Sequence, residues 1–140
     1  MHPCSVFVID GKTNTVIKNV NVGNDPQGIA YNSGNGNVYV ANVNSSTVSV
    51  IDGKTNKVIK SIPVGKGPTG IAYNSGNGNM YVGNGFSDTV SVIDGKTNKV
   101  IKSIPTQGPT GIAYNSGNGN MYISNTFNNS ISVIAGDPNK

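Results

Sequence analysis

Apolar and polar positions in this chain alternate over short stretches instead of recurring every third or fourth residue. Thr89–Ile93 reads TVSVI, with apolar side chains two positions apart, the spacing of a strand that presents one face to a core. In the clearest copy of the pattern, four apolar segments follow one another: Thr69–Asn74, Met80–Val82, Thr89–Asp94 and Lys99–Pro105. The first two are joined by Ser75–Asn79 (SGNGN), whose residues tolerate positive φ, so a hairpin loop is predicted there. The last two are joined by Asp94–Asn98 (DGKTN), a second hairpin signal. Pro63, Pro68, Pro105 and Pro109 stand only where these strands begin or end, so no ladder loses a central N–H.

This four-strand unit repeats. Thr47–Pro63 and Thr89–Pro105 carry one identical string, TVSVIDGKTNKVIKSIP, displaced by 42 positions, and Pro68–Tyr81 returns unchanged at Pro109–Tyr122, displaced by 41. The lost residue lies in the connection, where Val64–Gly70 (VGKGPTG) becomes Thr106–Gly111 (TQGPTG). Four antiparallel strands in a repeat of about 40 residues is the arithmetic of a β-propeller blade. With the strands of a blade lettered A to D from the inside outwards, the chain divides into residues 1–23 (C and D of a first blade), 24–65 and 66–107 (two full blades), and 108–140 (A, B and C of a last blade). The expected fold is therefore all-β, with 13 strands and about three blades' worth of chain. Propellers close with roughly four to eight blades, so three do not make a ring. Two readings follow. Two chains joined head to tail would close a six-bladed homodimer, the C–D hairpin of one completing the last A–B pair of the other; or the sequence is a segment of a longer propeller. In the shared blade either Ser5–Ile9 or Ser130–Ile134 fills the C position.

The tetrads at Tyr39–Asn42 (YVAN), Tyr81–Asn84 (YVGN) and Tyr122–Asn125 (YISN), with their flanking GIAYNSGNGNMY and VSVIDGKTNKVI strings, resemble the signature of the YVTN-type propeller repeat. The resemblance runs over nearly the whole chain. It implies a β-propeller of the kind found in surface-layer and extracellular proteins, most of them without an assigned reaction.

Composition agrees with strands and removes several chemistries. Glycine numbers 19 and asparagine 22, whereas Glu and Arg, both strong helix formers, are absent. Ten lysines and six aspartates give a net charge of +4. The lysines recur at equivalent repeat positions (Lys12, Lys54, Lys96; Lys18, Lys60, Lys102) and form no concentrated patch, and without Arg no nucleic-acid partner is expected. Their expected role is solubility and protection of outer strands. No apolar run reaches the roughly 20 residues of a membrane span. Met1–Val8 lacks the features of a signal peptide, which reads as a cytosolic chain or one whose natural start lies elsewhere. The compartment stays open, although the resemblance implies an extracellular or cell-surface setting.

Candidate chemistry is sparse. Cys4 and His2 are the sole cysteine and histidine, so neither a disulfide within the chain, a zinc site nor a His-based triad is expected, and no cofactor or metal is implied. Gly11–Thr13, Gly53–Thr55 and Gly95–Thr97 imitate the end of a phosphate-binding loop, yet the earlier glycine that motif needs is Val6, Val48 or Val90. Asp10, Asp52 and Asp94 each stand alone in a turn, which suits a side chain bonding its own turn backbone better than calcium. An enzyme of the propeller lactonase or lyase kind is the alternative function, and Asp25 and Asp88 are the acids outside the repeated turn position, apart from Asp137.

The copies differ in informative places. The A–B turns (NSGNGN) and the C–D turns (DGKTN) are uniform. The B–C loops Val43–Ser46, Gly85–Asp88 and Thr126–Asn129 are individual, and so are the D–A connections around Asp25 and Gln27, Lys66, and Gln107. In a propeller both variable sets share one face. The sequence thus points to a non-enzymatic scaffold that binds a protein or carbohydrate through that face, with Phe86, Phe127, Asn44, Asp88, Asp25, Gln27, Lys66 and Gln107 as candidate ligand-binding residues. Phe86 and Phe127 occupy equivalent positions and either stand out as aromatic platforms or pack beneath their own loops. Asn44–Ser46 and Asn128–Ser130 fit the glycosylation pattern, which matters only in an exported protein.

Overall fold

The computed structural model describes residues 4–136, so His2 and Asp137 lie outside the described residues. Thirteen strands are present there: β1 (Ser5–Asp10), β2 (Thr15–Asn21), β3 (Pro26–Asn32), β4 (Asn37–Asn42), β5 (Thr47–Asp52), β6 (Lys57–Pro63), β7 (Pro68–Asn74), β8 (Asn79–Asn84), β9 (Thr89–Asp94), β10 (Lys99–Pro105), β11 (Pro109–Asn115), β12 (Asn120–Asn125) and β13 (Ser130–Ala135). They form four antiparallel sheets in simple meander order, β1–β2, β3–β6, β7–β10 and β11–β13, as the blade arithmetic requires. Of the two segments expected to compete for the last C position, β13 holds it, pairing with β12 from Asn120↔Ala135 to Asn125↔Ser130. A four-residue loop makes that hairpin local, which favours it over a distant strand.

The two four-stranded sheets are each sandwiched between neighbours, so their middle strands are buried on both faces. Val48, Val50 and Ile62 with Tyr39 pack on Ile71, Met80, Val82 and Ile93 of the next sheet. The following junction repeats this with Tyr81, Val90 and Val92 against Met121 and Ile123. The β1–β2 hairpin contributes Val6, Val8, Val20 and Val22 to a third cluster against Val38, Val40 and Ile51. The innermost strands β3, β7 and β11 lie side by side.

The outer strands were expected to rely on lysine for protection, and the structure adds a second device. Their pairing slips by one residue between Lys18 and Val16, between Lys60 and Val58, and between Lys102 and Val100. The residues bulged out are Ile17, Ile59 and Ile101, all exposed. A bulge twists an edge away from intermolecular pairing.

Side chains of the uniform turns first shape the turns and then tie the blades together. Asn32, Asn74 and Asn115 each accept through Oδ1 the N–H two residues on, at 2.8 Å. Asp10, Asp52 and Asp94 accept from Lys12, Lys54 and Lys96 N at 2.8, 2.8 and 2.9 Å, the turn-bonding role expected of them. Asn35 Nδ2 then donates to Tyr39 Oη at 2.8 Å and, across the junction, to the Gly95 carbonyl at 2.9 Å. The Tyr39 hydroxyl donates onward to Asn98 Oδ1 in that same turn. One junction later Asn77 Nδ2 donates to Tyr81 Oη at 2.9 Å and to the Gly136 carbonyl.

Burial pushes the Tyr39 phenol above its ordinary 10.0, assisted by the charge of Asp94 and opposed by hydrogen bonds from Asn35, Asn37 and Asn32. The unfolded chain therefore releases this proton first, and stability falls as pH rises past the ordinary tyrosine value. Tyr39→Phe removes that fall and, by stranding Asn98 and Asn35, costs about 1–2 kcal/mol at neutral pH. Urea unfolding of both proteins as a function of pH checks the two effects together.

Candidate functional site

On the face opposite the uniform turns, each B–C loop is stitched to the D–A connection that enters its own blade. The N–H groups of Val43, Gly85 and Thr126 donate to the carbonyls of Asp25, Gly67 and Gly108 at 3.0, 2.9 and 3.0 Å. Asn24 and Lys66 N donate to Ser45 and Ser87 Oγ at 2.8 and 3.1 Å, while Gln107 N, whose loop has Asn128 at the serine position, turns to Asn125 Oδ1 at 3.4 Å. The first two B–C loops also reach the connection that leaves their blade, through Val64 N to the Ser46 carbonyl (3.0 Å) and Thr106 N to the Asp88 carbonyl (2.9 Å). These bonds make the loop face a continuous, shaped surface. Ser46, Asp88 and Asn129 turn the loops into strand C with φ of 53°, 54° and 55°.

Phe86 and Phe127 are 73% and 71% exposed, so they do not pack beneath their loops. Each ring instead lies against the glycine of the neighbouring connection. A methyl added to Gly67 would stand 2.6 Å from Phe86 Cδ2, and one on Gly108 would stand 2.5 Å from Phe127 Cδ2. Both glycines have positive φ, 69° and 59°. The third copy replaces the whole pair: Asp25, φ 55°, stands where the glycines are, and Asn44 stands where the rings are. Asn44 Nδ2 lies 3.4 Å from Asp25 Oδ2, and Gln27 Nε2 donates to Asp25 Oδ1 at 2.9 Å. The face thus carries two aromatic stations seated on glycine and one polar station.

The remaining candidates fall into place around these stations. Asp88 is exposed, but its Oδ1 accepts from Gly108 N at 2.9 Å, fixing the seat of the Phe127 ring. Lys66 and Gln107 are exposed beside Gly67 and Gly108. All eight candidates therefore lie on one loop face, while Asp25 and Asp88 belong to loops of different blades and each accepts a hydrogen bond there. Sequence reasoning missed the seats Gly67 and Gly108. The signal was present, since Gly-with-Phe occurs twice and Asp-with-Asn once at matching positions.

The tetrad asparagines have a structural task below this face. Asn42, Asn84 and Asn125 Nδ2 donate to Ser49, Ser91 and Ser132 Oγ at 2.9, 2.8 and 2.8 Å, bracing strand B against strand C. Clefts occur on the uniform face instead: about 360 Å³ beside Asn74, Gly76, Tyr114 and Asn118, and about 340 Å³ beside Asn32, Gly34, Tyr73 and Gly95. Among the described residues no cluster of three His, Cys, Asp or Glu side chains gathers, and no helix is long and apolar enough to cross a membrane.

Replacing Gly67 with Ala puts a methyl into the Phe86 ring at a positive φ, with an expected cost of about 1–2 kcal/mol. The double substitution Gly67→Asp, Phe86→Asn rebuilds the pair found at Asp25 and Asn44 and should recover most of that loss. A double-mutant cycle by chemical denaturation reads the coupling.

The comparisons with known proteins agree with this architecture. The NHL repeat family model matches residues 24–51, which spans most of the blade β3–β6. Among solved structures the chain is similar to hydrazine synthase of Kuenenia stuttgartiensis, with 26% identity, a TM-score of 0.87, and coverage of 94% of this chain and 40% of that one. It is also similar to apo AztD of Citrobacter koseri, with 17% identity, a TM-score of 0.63, and coverage of 76% of this chain and 30% of that one. The chain thus spans less than half the length of either structure. No curated protein matches it. Four-stranded sheets packed face to face, a repeat-family match within one of them and these structural likenesses identify the chain as a β-propeller repeat protein.

Proposed function

We propose that this protein is a non-enzymatic, cell-surface-type scaffold that binds a protein or carbohydrate through its variable loop face. The observation that carries this reading is the pair of phenylalanines, 73% and 71% exposed, each held by a glycine on one side and open on the other. A rigid aromatic face with little rotamer freedom left to lose suits stacking on the apolar face of a sugar ring or against a protein loop. The polar station of Asp25, Gln27 and Asn44 supplies donors and acceptors beside the aromatic ones. That Asp25 and Asp88 are both engaged in holding loops also favours binding over acid–base chemistry. The YVTN-type resemblance of the tetrads supports the cell-surface setting.

The test is alanine substitution of Phe86 and Phe127, singly and together. Because the rings are exposed, the double variant should lose roughly 0.5 kcal/mol or less per site. Its binding to arrays of oligosaccharides and of peptides should nevertheless disappear where the wild-type protein gives a signal. Retained binding, or a collapse in thermal stability, would sink the platform role.

A further inference from the structure

Charge is divided unevenly over this sequence. The hairpins β1–β2, β5–β6 and β9–β10 hold eight of the ten lysines and three of the six aspartates, a net +5, whereas the remaining residues sum to −1. The lysines are spread evenly among the blades, yet they are confined to one hairpin of each. The two full blades carry the same set there: Asp52 with Lys54, Lys57 and Lys60, and Asp94 with Lys96, Lys99 and Lys102. Of these lysines only Lys60 is half-buried, and its Nζ donates to the Thr97 carbonyl in the next C–D turn at 3.4 Å. The outer strands also touch in series, β2 with β6 and β6 with β10, so the hairpins join into one rim.

That rim is apolar as well as basic. Ile17, Ile59 and Ile101, the residues bulged out of the outer strands, are 58%, 53% and 57% exposed. Val16, Val58 and Val100 beside them are exposed too. Consecutive strand residues point to opposite faces of a sheet, so one of each pair would ordinarily be covered. Here neither is. In the full blades lysine brackets the pair on both sides, as Lys57–Lys60 and Lys99–Lys102 (KVIK). Solubility accounts for the lysines but not for the exposed aliphatic pair between them. The blade β7–β10 is flanked by a sheet on each side, so an open sheet face is not the cause of its exposed pair.

We propose that this rim is a docking surface for an anionic lipid bilayer, on which the protein lies without crossing it. The valines and isoleucines enter the boundary between headgroups and acyl chains. The lysine stems lie along them and carry the ammonium groups to the lipid phosphates. Neither signal suffices alone: a few short aliphatic side chains anchor weakly, and exposed charges are screened by salt. Together they make a two-part attachment that repeats in each blade. A soluble polyanion has no use for the aliphatic pairs, and β6 and β10 supply neither Arg nor an aromatic ring for a nucleic acid. The C–D turns lie opposite the variable loops, so a protein docked in this way turns its loop face away from the bilayer.

Co-sedimentation with vesicles is the test. The chain should bind vesicles of equal parts phosphatidylglycerol and phosphatidylcholine, ignore pure phosphatidylcholine, and be released as salt rises. Lys57→Gln with Lys99→Gln should weaken binding about 10- to 30-fold. Ile59→Ser with Ile101→Ser should weaken it about tenfold or more. All four side chains are exposed, so thermal unfolding of both variants should stay close to wild type, which separates a lost contact from a lost fold. Absence of binding to the anionic vesicles at low salt, or equal binding to both kinds of vesicle, would overturn the proposal. So would an isoleucine variant that binds as well as wild type, for the contact would then be one of charge alone and open to any polyanion.

Discussion

The packing of one sheet against the next is the constraint from which the rest of the structure follows. A blade of four short strands has two apolar faces and cannot bury either against itself, so both must be covered by neighbours. This is why the middle strands carry buried residues at successive positions, Tyr39 with Val40 and Val50 with Ile51, where a one-sided sheet would show strict alternation. It is also why glycine occurs on the inner strands. Gly28 and Gly70 let adjacent backbones approach until no methyl would fit between them. The polar latches at Asn35 and Tyr39 come on top of this packing and fix its register, since they form only when successive turns stand at the same height.

Most of this architecture could be read from the residues. Alternation, turn composition and the repeat itself located all thirteen strands, because each pairs with a strand next to it in sequence across a short turn or loop. What stayed hidden depends on distant partners. Asn35 and Gly95 are 60 positions apart, and nothing in the NSGNGN string says that one of its amides belongs to the following blade. The bulges at Ile17, Ile59 and Ile101 were equally invisible, for an apolar residue in a strand is ordinarily taken as inward. The occupant of the last C position was left open by sequence because two segments are equivalent there. Hairpin locality decides in favour of β13.

The loop face shows the same division. Variation between copies located the face, but whether Phe86 and Phe127 stood out or folded under depended on the space above Gly67 and Gly108. Glycine in a D–A connection reads as a turn signal, whereas here its missing side chain is also the seat for a ring. In one blade Asp and Asn replace Gly and Phe, and the two side chains again lie against each other, with Asn44 Nδ2 3.4 Å from Asp25 Oδ2. The two faces thus obey different rules: one keeps its residues the same because each copy must fit the next, and the other changes them in matched pairs.

Near-identical junctions have a further thermodynamic meaning. When each unit touches only its nearest neighbours through the same side chains, stability becomes close to a sum of equal coupling terms along a line. Among the described residues the blade β7–β10, flanked on both sides, draws on two such terms, whereas β11–β13 has three strands and draws on one. Loss of order in an open arc therefore starts at its margins and runs inward like a fraying zipper. Closing the line into a circle removes the margins, so that no blade is left to open first.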